Sequence, residues 1–140
     1  MQKIPNEILS IIFRLALPPS FLLDSALYKG PESPWCLSMK TKRDCVAVCK
    51  RWAHIGVPIL YEEVVLRRMT QLSSLLRTVS LPDVHFGHLI KRIDLKCYVP
   101  PDEFPLLDSQ LLRLFDKCPN ISWVGYDTVT SPEPLKWVCT

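Results

Sequence analysis

Residues 90–95 read IKRIDL, and this short stretch decides how the second half of the chain folds. Its spacing of apolar side chains, I-x-x-I-x-L, returns in residues 121–126, which read ISWVGY. The offset is about 30 residues, and a helical pattern in residues 111–115, LLRLF, lies between the two copies. A shorter copy, Val64-x-Leu66, precedes the first by a similar distance. The second half of the chain therefore alternates strands with helices in an internal repeat.

Repeats of this length that pair one strand with one helix are typical of leucine-rich solenoids. In such an array each unit covers the apolar face of its neighbour, so the strands align in parallel. We expect neighbouring strands at Val64–Leu66, Ile90–Leu95 and Ile121–Tyr126, and helices stacked on one side near Leu72–Val79 and Leu106–Phe115. A small α/β region without a repeat is the alternative.

The opposite side of the predicted strands carries charged residues. Asp94, Lys96 and Asp127 would form an outward row there, which we take as the hypothetical surface for a target protein. The last residues of the sequence are apolar and lack a polar capping pattern, so we expect an open apolar end of the array near Leu135 and Trp137.

The first helix is predicted in residues 4–17, IPNEILSIIFRLAL, and two prolines follow it. Its apolar side chains cover roughly 200° of the helix, about twice the width that an ordinary surface helix needs. They form two groups roughly 130° apart. One group is Ile4, Ile8, Ile11 and Leu15, and the other is Leu9, Phe13 and Ala16. One face can pack inside the protein while the other binds a foreign helix, and the sequence leaves open which face is outward.

A second helix is predicted after a long connection in residues 18–40. The tetrad Thr41-Lys42-Arg43-Asp44 has the spacing of a capping box, which would start this helix. Gly56 and Pro58 would end it. From residue 59 the chain becomes rich in β-branched residues, so we expect strands within residues 59–68 and 88–99.

Two motifs in these helices resemble the F-box family. Residues 4–8, IPNEI, are similar to the family's Leu-Pro-x-Glu-[Ile/Leu] start, and residues 48–52, VCKRW, are similar to its Val-Cys-[Lys/Arg]-x-Trp second half. Ile4 stands where the family usually has Leu, and the connection before the second helix is longer than its pattern. The resemblance implies a mixed fold: an α-helical F-box at residues 1–58, then a short α/β leucine-rich-like solenoid with parallel strands at residues 59–140, which we expect to be incomplete.

The resemblance also implies a function. F-boxes bind the Skp-type adaptor of SCF ubiquitin ligases through apolar helical faces, and the adaptor holds them to a cullin. The chain would then be a non-catalytic substrate receptor with an unknown protein target and no cofactor or metal. The residues implied to bind the adaptor are Ile4, Pro5, Glu7, Ile8, Ile11, Ile12, Val48 and Cys49. Those implied to form the F-box core are Phe13, Val46 and Trp52. An F-box protein or fragment that acts outside ubiquitination is the nearest alternative.

Other functional classes find less support in the sequence. The net charge is only +3, and the basic residues are scattered, although Lys50, Arg51 and His54 could make a basic nucleic-acid-binding helix. His85 and His88 have a spacing that could hold a metal, but no third ligand stands nearby. Phosphate-binding loops and nucleophile elbows are also missing. We therefore expect no nucleic acid, no metal and no catalysis.

The cysteines bear on the compartment. Six of them lie at positions 36, 45, 49, 97, 118 and 139, without any C-x-x-C pair. We expect buried free thiols in a reducing compartment, that is the cytoplasm, the nucleus or both. No apolar run approaches the roughly 18 residues of a membrane span, so we expect no membrane partner.

Overall fold

The computed structural model describes residues 3–18, 23, 31–83 and 85–126. The chain divides into two compact units, residues 1–61 and 62–140. The first unit contains the helices α1 (Asn6–Leu15), α2 (Pro34–Val48) and most of α3 (Lys50–Glu62). The second contains β1 (Glu63–Leu66), α4 (Met69–Val79), β2 (Arg92–Leu95), α5 (Phe104–Lys117) and β3 (Trp123–Tyr126). Short 3-10 turns at Gly87–Leu89 and Pro101–Glu103 precede β2 and α5.

The predicted start of the second helix is wrong, because α2 begins seven residues before the capping tetrad. Ser33 caps α2 by accepting the Cys36 backbone N–H at 3.3 Å, and Pro34 occupies the first turn, where a missing N–H costs nothing. Thr41 lies inside α2, where its hydroxyl donates to the Leu37 carbonyl oxygen at 3.0 Å. The long connection is therefore shorter than expected, and within it residues 19–22 and 24–30 lie outside the described residues.

The predicted end of that helix is also wrong. The helix is interrupted at Cys49, which has an extended backbone, and α3 then continues through Gly56 and Pro58 to Glu62. Gly56 is buried, and a Cβ atom there would lie only 3.0 Å from the Val46 side chain. The glycine thus allows close packing of α3 on α2 and does not end the helix. Residues 59–62 are consequently helical, although they were predicted as part of a strand.

The core of the first unit is small and lies between α1 and α3. Leu9 and Phe13 from α1 are buried with Ile59 from α3. The Phe13 and Trp52 rings meet edge to face with their centroids 4.8 Å apart, a geometry that aromatic pairs favour. Trp52 is only partly buried, so it borders this core and does not fill its centre.

The three strands of the second unit form one parallel sheet in the order β1-β2-β3, as the repeat predicts. The strands are shorter than expected, since residues 59–62 and 88–91 are not part of them. The register places Val64, Ile93 and Val124 side by side. Two residues further along the strands, on the same face of the sheet, Leu66, Leu95 and Tyr126 form the next row. These are the apolar positions of the sequence repeat.

The helices α4 and α5 pack on the same face of this sheet. Ile93 and Leu95 of β2 belong to one apolar cluster with Leu72 and Leu76 of α4 and Leu107, Leu111 and Leu114 of α5. Each helix connects one parallel strand to the next, and the strands follow one another in chain order across the sheet. When such connections have the usual right-handed sense, they place their helices on the same side of the sheet. The fold is thus mixed, with five helices and a small parallel sheet among the described residues.

Candidate functional site

The outer face of α1 is an apolar surface that the described part of the first unit leaves exposed. Leu9 and Phe13 point into the core, whereas five other aliphatic side chains of residues 4–15 remain 45 to 79% exposed. These residues are Ile4, Ile8, Ile11, Ile12 and Leu15, and we call them the α1 outer face. The structure thus separates the two apolar groups of the helix, except that Ala16, placed with the inner group by its angle, is exposed.

Arg51 of α3 holds the N-terminal end of α1 in place. Its Nε donates to Asn6 Oδ1 at 2.9 Å, and its Nη2 donates to the Ile4 carbonyl oxygen. This role was not predicted from the sequence, where Arg51 was considered only as part of a basic nucleic-acid-binding helix. The available signal was a polar residue at the start of the first helix, Asn6, together with an arginine in the second motif, Arg51, since the two can form a hydrogen bond. This guanidinium is therefore engaged within the protein.

The remaining residues implied by the F-box resemblance occupy two places. Pro5 is the N-cap of α1, and Glu7 lies in its first turn; both are exposed. Val48 ends α2, and Cys49 links α2 to α3; both are exposed as well. Cys49 is two residues from Arg51, so the α2–α3 junction lies near the start of α1.

The predicted core residues of the first unit show different degrees of burial. Phe13 is 5% exposed and sits at the centre of the cluster. Val46 is partly buried and lies under Gly56, while Trp52 covers Phe13 from the side. These contacts fix the orientation of α1, which decides the direction of its outer face.

The sheet of the second unit presents a polar face opposite its helices. Arg92 and Asp94 alternate with the buried Ile93 and Leu95, as a strand requires. Lys96 Nζ lies 3.8 Å from Asp94 Oδ2, so these two predicted target-binding residues form an ion pair. Asp127, the third predicted member, and the expected open end near residues 135–137 lie outside the described residues.

An arginine and a tryptophan, neither of which was predicted as a site residue, lie on the same face of the sheet. The Arg92 guanidinium carbon lies 4.4 Å from the centroid of the Trp123 ring, a cation–π geometry. Arg92 and Trp123 are register partners on β2 and β3, and the Trp123 ring is 41% exposed. Gly125, the next residue on this face of β3, leaves the space that the ring edge occupies. The sheet register, which a single strand pattern does not reveal, brings this pair together.

Thiols and histidines show no arrangement for chemistry in the part of the chain that the structure describes. The five described cysteines are free; Cys97 and Cys118 are buried, but Cys49 is exposed, which corrects the expectation of burial for that thiol. Burial raises the pKa of Cys118 to about 11, which makes it a poor nucleophile. Within the described ranges, no group of three His, Cys, Asp or Glu side chains could hold a metal.

Two further observations concern the chain as a whole. None of the described helices is long and apolar enough to cross a bilayer. Comparison with protein-family models, with curated proteins and with solved structures finds no match for this chain. The α1 outer face and the polar face of the sheet are therefore the two surfaces of the described residues that bear on function.

Proposed function

We propose that this chain is a substrate-receptor subunit of an SCF ubiquitin ligase, and that its first unit is an F-box bound to a Skp-type adaptor. The observation that carries the proposal is the α1 outer face, a continuous apolar strip on a helix whose inner side is already packed. Such a strip is a ready binding surface for a second amphipathic helix.

This strip contributes a substantial part of the free energy that a contact with a second helix needs. Full burial of an aliphatic side chain contributes roughly 1.5–3 kcal/mol, so burial of the exposed half of each residue contributes roughly 1 kcal/mol. Five such residues offset part of the several kcal/mol that association costs. The two exposed residues at the α2–α3 junction, Val48 and Cys49, would add to this contact.

The second unit would hold the target protein. We propose that its parallel strands and one-sided helices are part of a short leucine-rich solenoid. Its polar sheet face would be the target surface, where Asp94 and Lys96 keep 16 and 21% of their side chains exposed. The chain itself would contribute positioning, since ubiquitin transfer would be performed by other subunits. This function places the protein in the cytoplasm, the nucleus or both, and requires no cofactor.

Co-expression with a Skp-type adaptor tests the proposal. The wild-type chain should co-purify with the adaptor, and Ile8→Asp or Ile12→Asp should abolish this by placing an unpaired charge in the contact. Leu106→Asp is the matched control, because Leu106 is an equally exposed aliphatic residue on α5 of the other unit. Retention of the adaptor by both isoleucine variants, or its loss by the control alone, contradicts the assignment.

A further inference from the structure

A cleft on the outside of the helical layer of the second unit has no role in the proposed function. It lies between the C-terminal half of α4 and the middle of α5 and has a volume of about 440 Å³. This volume is within the range of pockets that bind small molecules or short peptide segments. The cleft is on the helices, whereas the α1 outer face and the polar sheet face are on other elements.

The charge of the cleft is entirely positive. Arg77 of α4 and Arg113 of α5 line it, and the residues that line it include no carboxylate. Neither guanidinium forms an ion pair with any described residue. By contrast, Lys91 of the same unit is paired with Glu62 at 3.1 Å. Two unpaired guanidinium groups beside one concave surface favour a ligand with carboxylate groups.

Gln110 links the two helices at the cleft. Its amide nitrogen donates to Ser73 Oγ at 2.9 Å, which joins α5 to α4 and fixes the Gln110 side chain. Its Oε1 atom is buried and accepts no hydrogen bond from the described residues. Because this oxygen has almost no accessible surface, a ligand in the cleft does not reach it, and Gln110 contributes to the shape of the cleft wall.

The floor and rim of the cleft are apolar. Leu76 is a core residue at the floor, and Leu81, just after α4, is half exposed at the rim. A ligand that matches the cleft therefore carries carboxylates and apolar side chains. An acidic peptide segment combines both, whereas a free inorganic anion supplies only charge.

We propose that the α4–α5 cleft binds an acidic segment of a partner protein, with carboxylates at Arg77 and Arg113. The leucine side chains of the segment pack on Leu76 and Leu81. This proposal does not depend on the adaptor assignment, since α1 contributes nothing to the cleft.

Fluorescence anisotropy of the full chain with a labelled peptide of alternating glutamate and leucine tests the proposal. We expect saturable binding that weakens with salt, and no binding of the peptide in which glutamine replaces glutamate. Arg77→Gln and Arg113→Gln should each weaken binding about fivefold, which is the value of an exposed charge pair of about 1 kcal/mol. Both arginines are exposed, so the variants should keep the wild-type circular dichroism spectrum.

Arg43→Gln is the matched control, because it removes the same charge from an exposed site on α2. An equal loss of binding in this control, or wild-type affinity in the double variant of Arg77 and Arg113, overturns the proposal. Two further probes separate other sources of negative charge. Binding of inorganic phosphate or of phosphatidylserine vesicles without binding of the peptide also overturns it.

Discussion

Gly87 is the residue on which the close approach of two segments of the second unit depends. It is buried, and a Cβ atom at this position would overlap the carbonyl oxygen of Lys117 at the end of α5. Because this obstacle is backbone, it cannot rotate away. We expect Gly87→Ala to lower the free energy of unfolding by about 1–3 kcal/mol, measured by urea denaturation.

Gly125→Ala is the control for this prediction. A Cβ atom there would meet two side chains, the ring of the exposed Trp123 and the Asp94 carboxylate, and neither obstacle is backbone. We expect a loss below about 1 kcal/mol, chiefly from the Arg92–Trp123 contact. If the two alanine variants are equally stable, the backbone contact at Gly87 is not as close as described.

Cys118 predicts a pH dependence of stability. Burial raises its pKa from the ordinary 9.0 to about 11 in the folded protein. Between these values the unfolded chain has lost the thiol proton and the folded chain has kept it, so the free energy of unfolding falls as the pH rises. The contribution is complete below pH 9 and is lost as the pH rises through about 11. Burial raises the pKa of Cys97 in the same direction.

Urea denaturation at several alkaline pH values measures this effect. Cys118→Ala should show a shallower fall of stability with pH than the wild type, whatever its stability at neutral pH. A fall of the same steepness in both proteins would show that the Cys118 thiol is not protected by burial.

At the scale of elements, the contact between α1 and α3 decides the orientation of the α1 outer face. Trp52 contributes its ring to Phe13, but it remains partly exposed. We therefore expect Trp52→Ala to lower the free energy of unfolding by about 2–3 kcal/mol, less than the loss of a fully buried tryptophan. Trp52→Phe keeps a ring at this position and should lose less than half as much. Circular dichroism should follow the unfolding, because both substitutions remove one of the four tryptophans and change the fluorescence signal itself.

Elements whose signal lies in the local sequence could be predicted, whereas elements that depend on tertiary contacts could not. The apolar spacing of IKRIDL and its copy predicts the parallel strands, because side-chain alternation and repetition are local properties. The start of α2 at Ser33 and Pro34 was also a local signal, but it stood in a proline-rich stretch that suggested a connection. The continuation of α3 through Gly56 was not predictable, since it depends on Val46, a tertiary neighbour.

The candidate sites follow the same division. The two apolar faces of α1 were predictable from the angular positions of its residues, but which face is outward depends on the packing of Phe13 on α3. Asp94 on β2 and Lys96 just after it were predictable as neighbours, because two residues that are two positions apart in an extended segment lie on the same side. The Arg92–Trp123 contact was not, because it depends on the register between β2 and β3.

At the scale of the whole molecule, the two units have cores of very different size. The cluster of the second unit includes β2, α4 and α5, whereas that of the first contains only Leu9, Phe13 and Ile59 as buried residues among those described. We expect hydrogen exchange to be slowest at the amides of β2 and much faster in α1 to α3, because little apolar area opposes local opening there. Equal protection in both units would contradict this difference in core size.

The central claim is that the α1 outer face is a binding surface for a Skp-type adaptor, and calorimetric titration of the adaptor into the purified chain tests it most directly. The account predicts saturable binding of one adaptor per chain, a negative heat-capacity change from apolar burial, and an affinity nearly independent of salt. Ile8→Asp should remove the binding heat, while Leu106→Asp should leave it unchanged. Absence of binding by the wild-type chain, or binding that survives Ile8→Asp and weakens steeply with salt, would contradict the account.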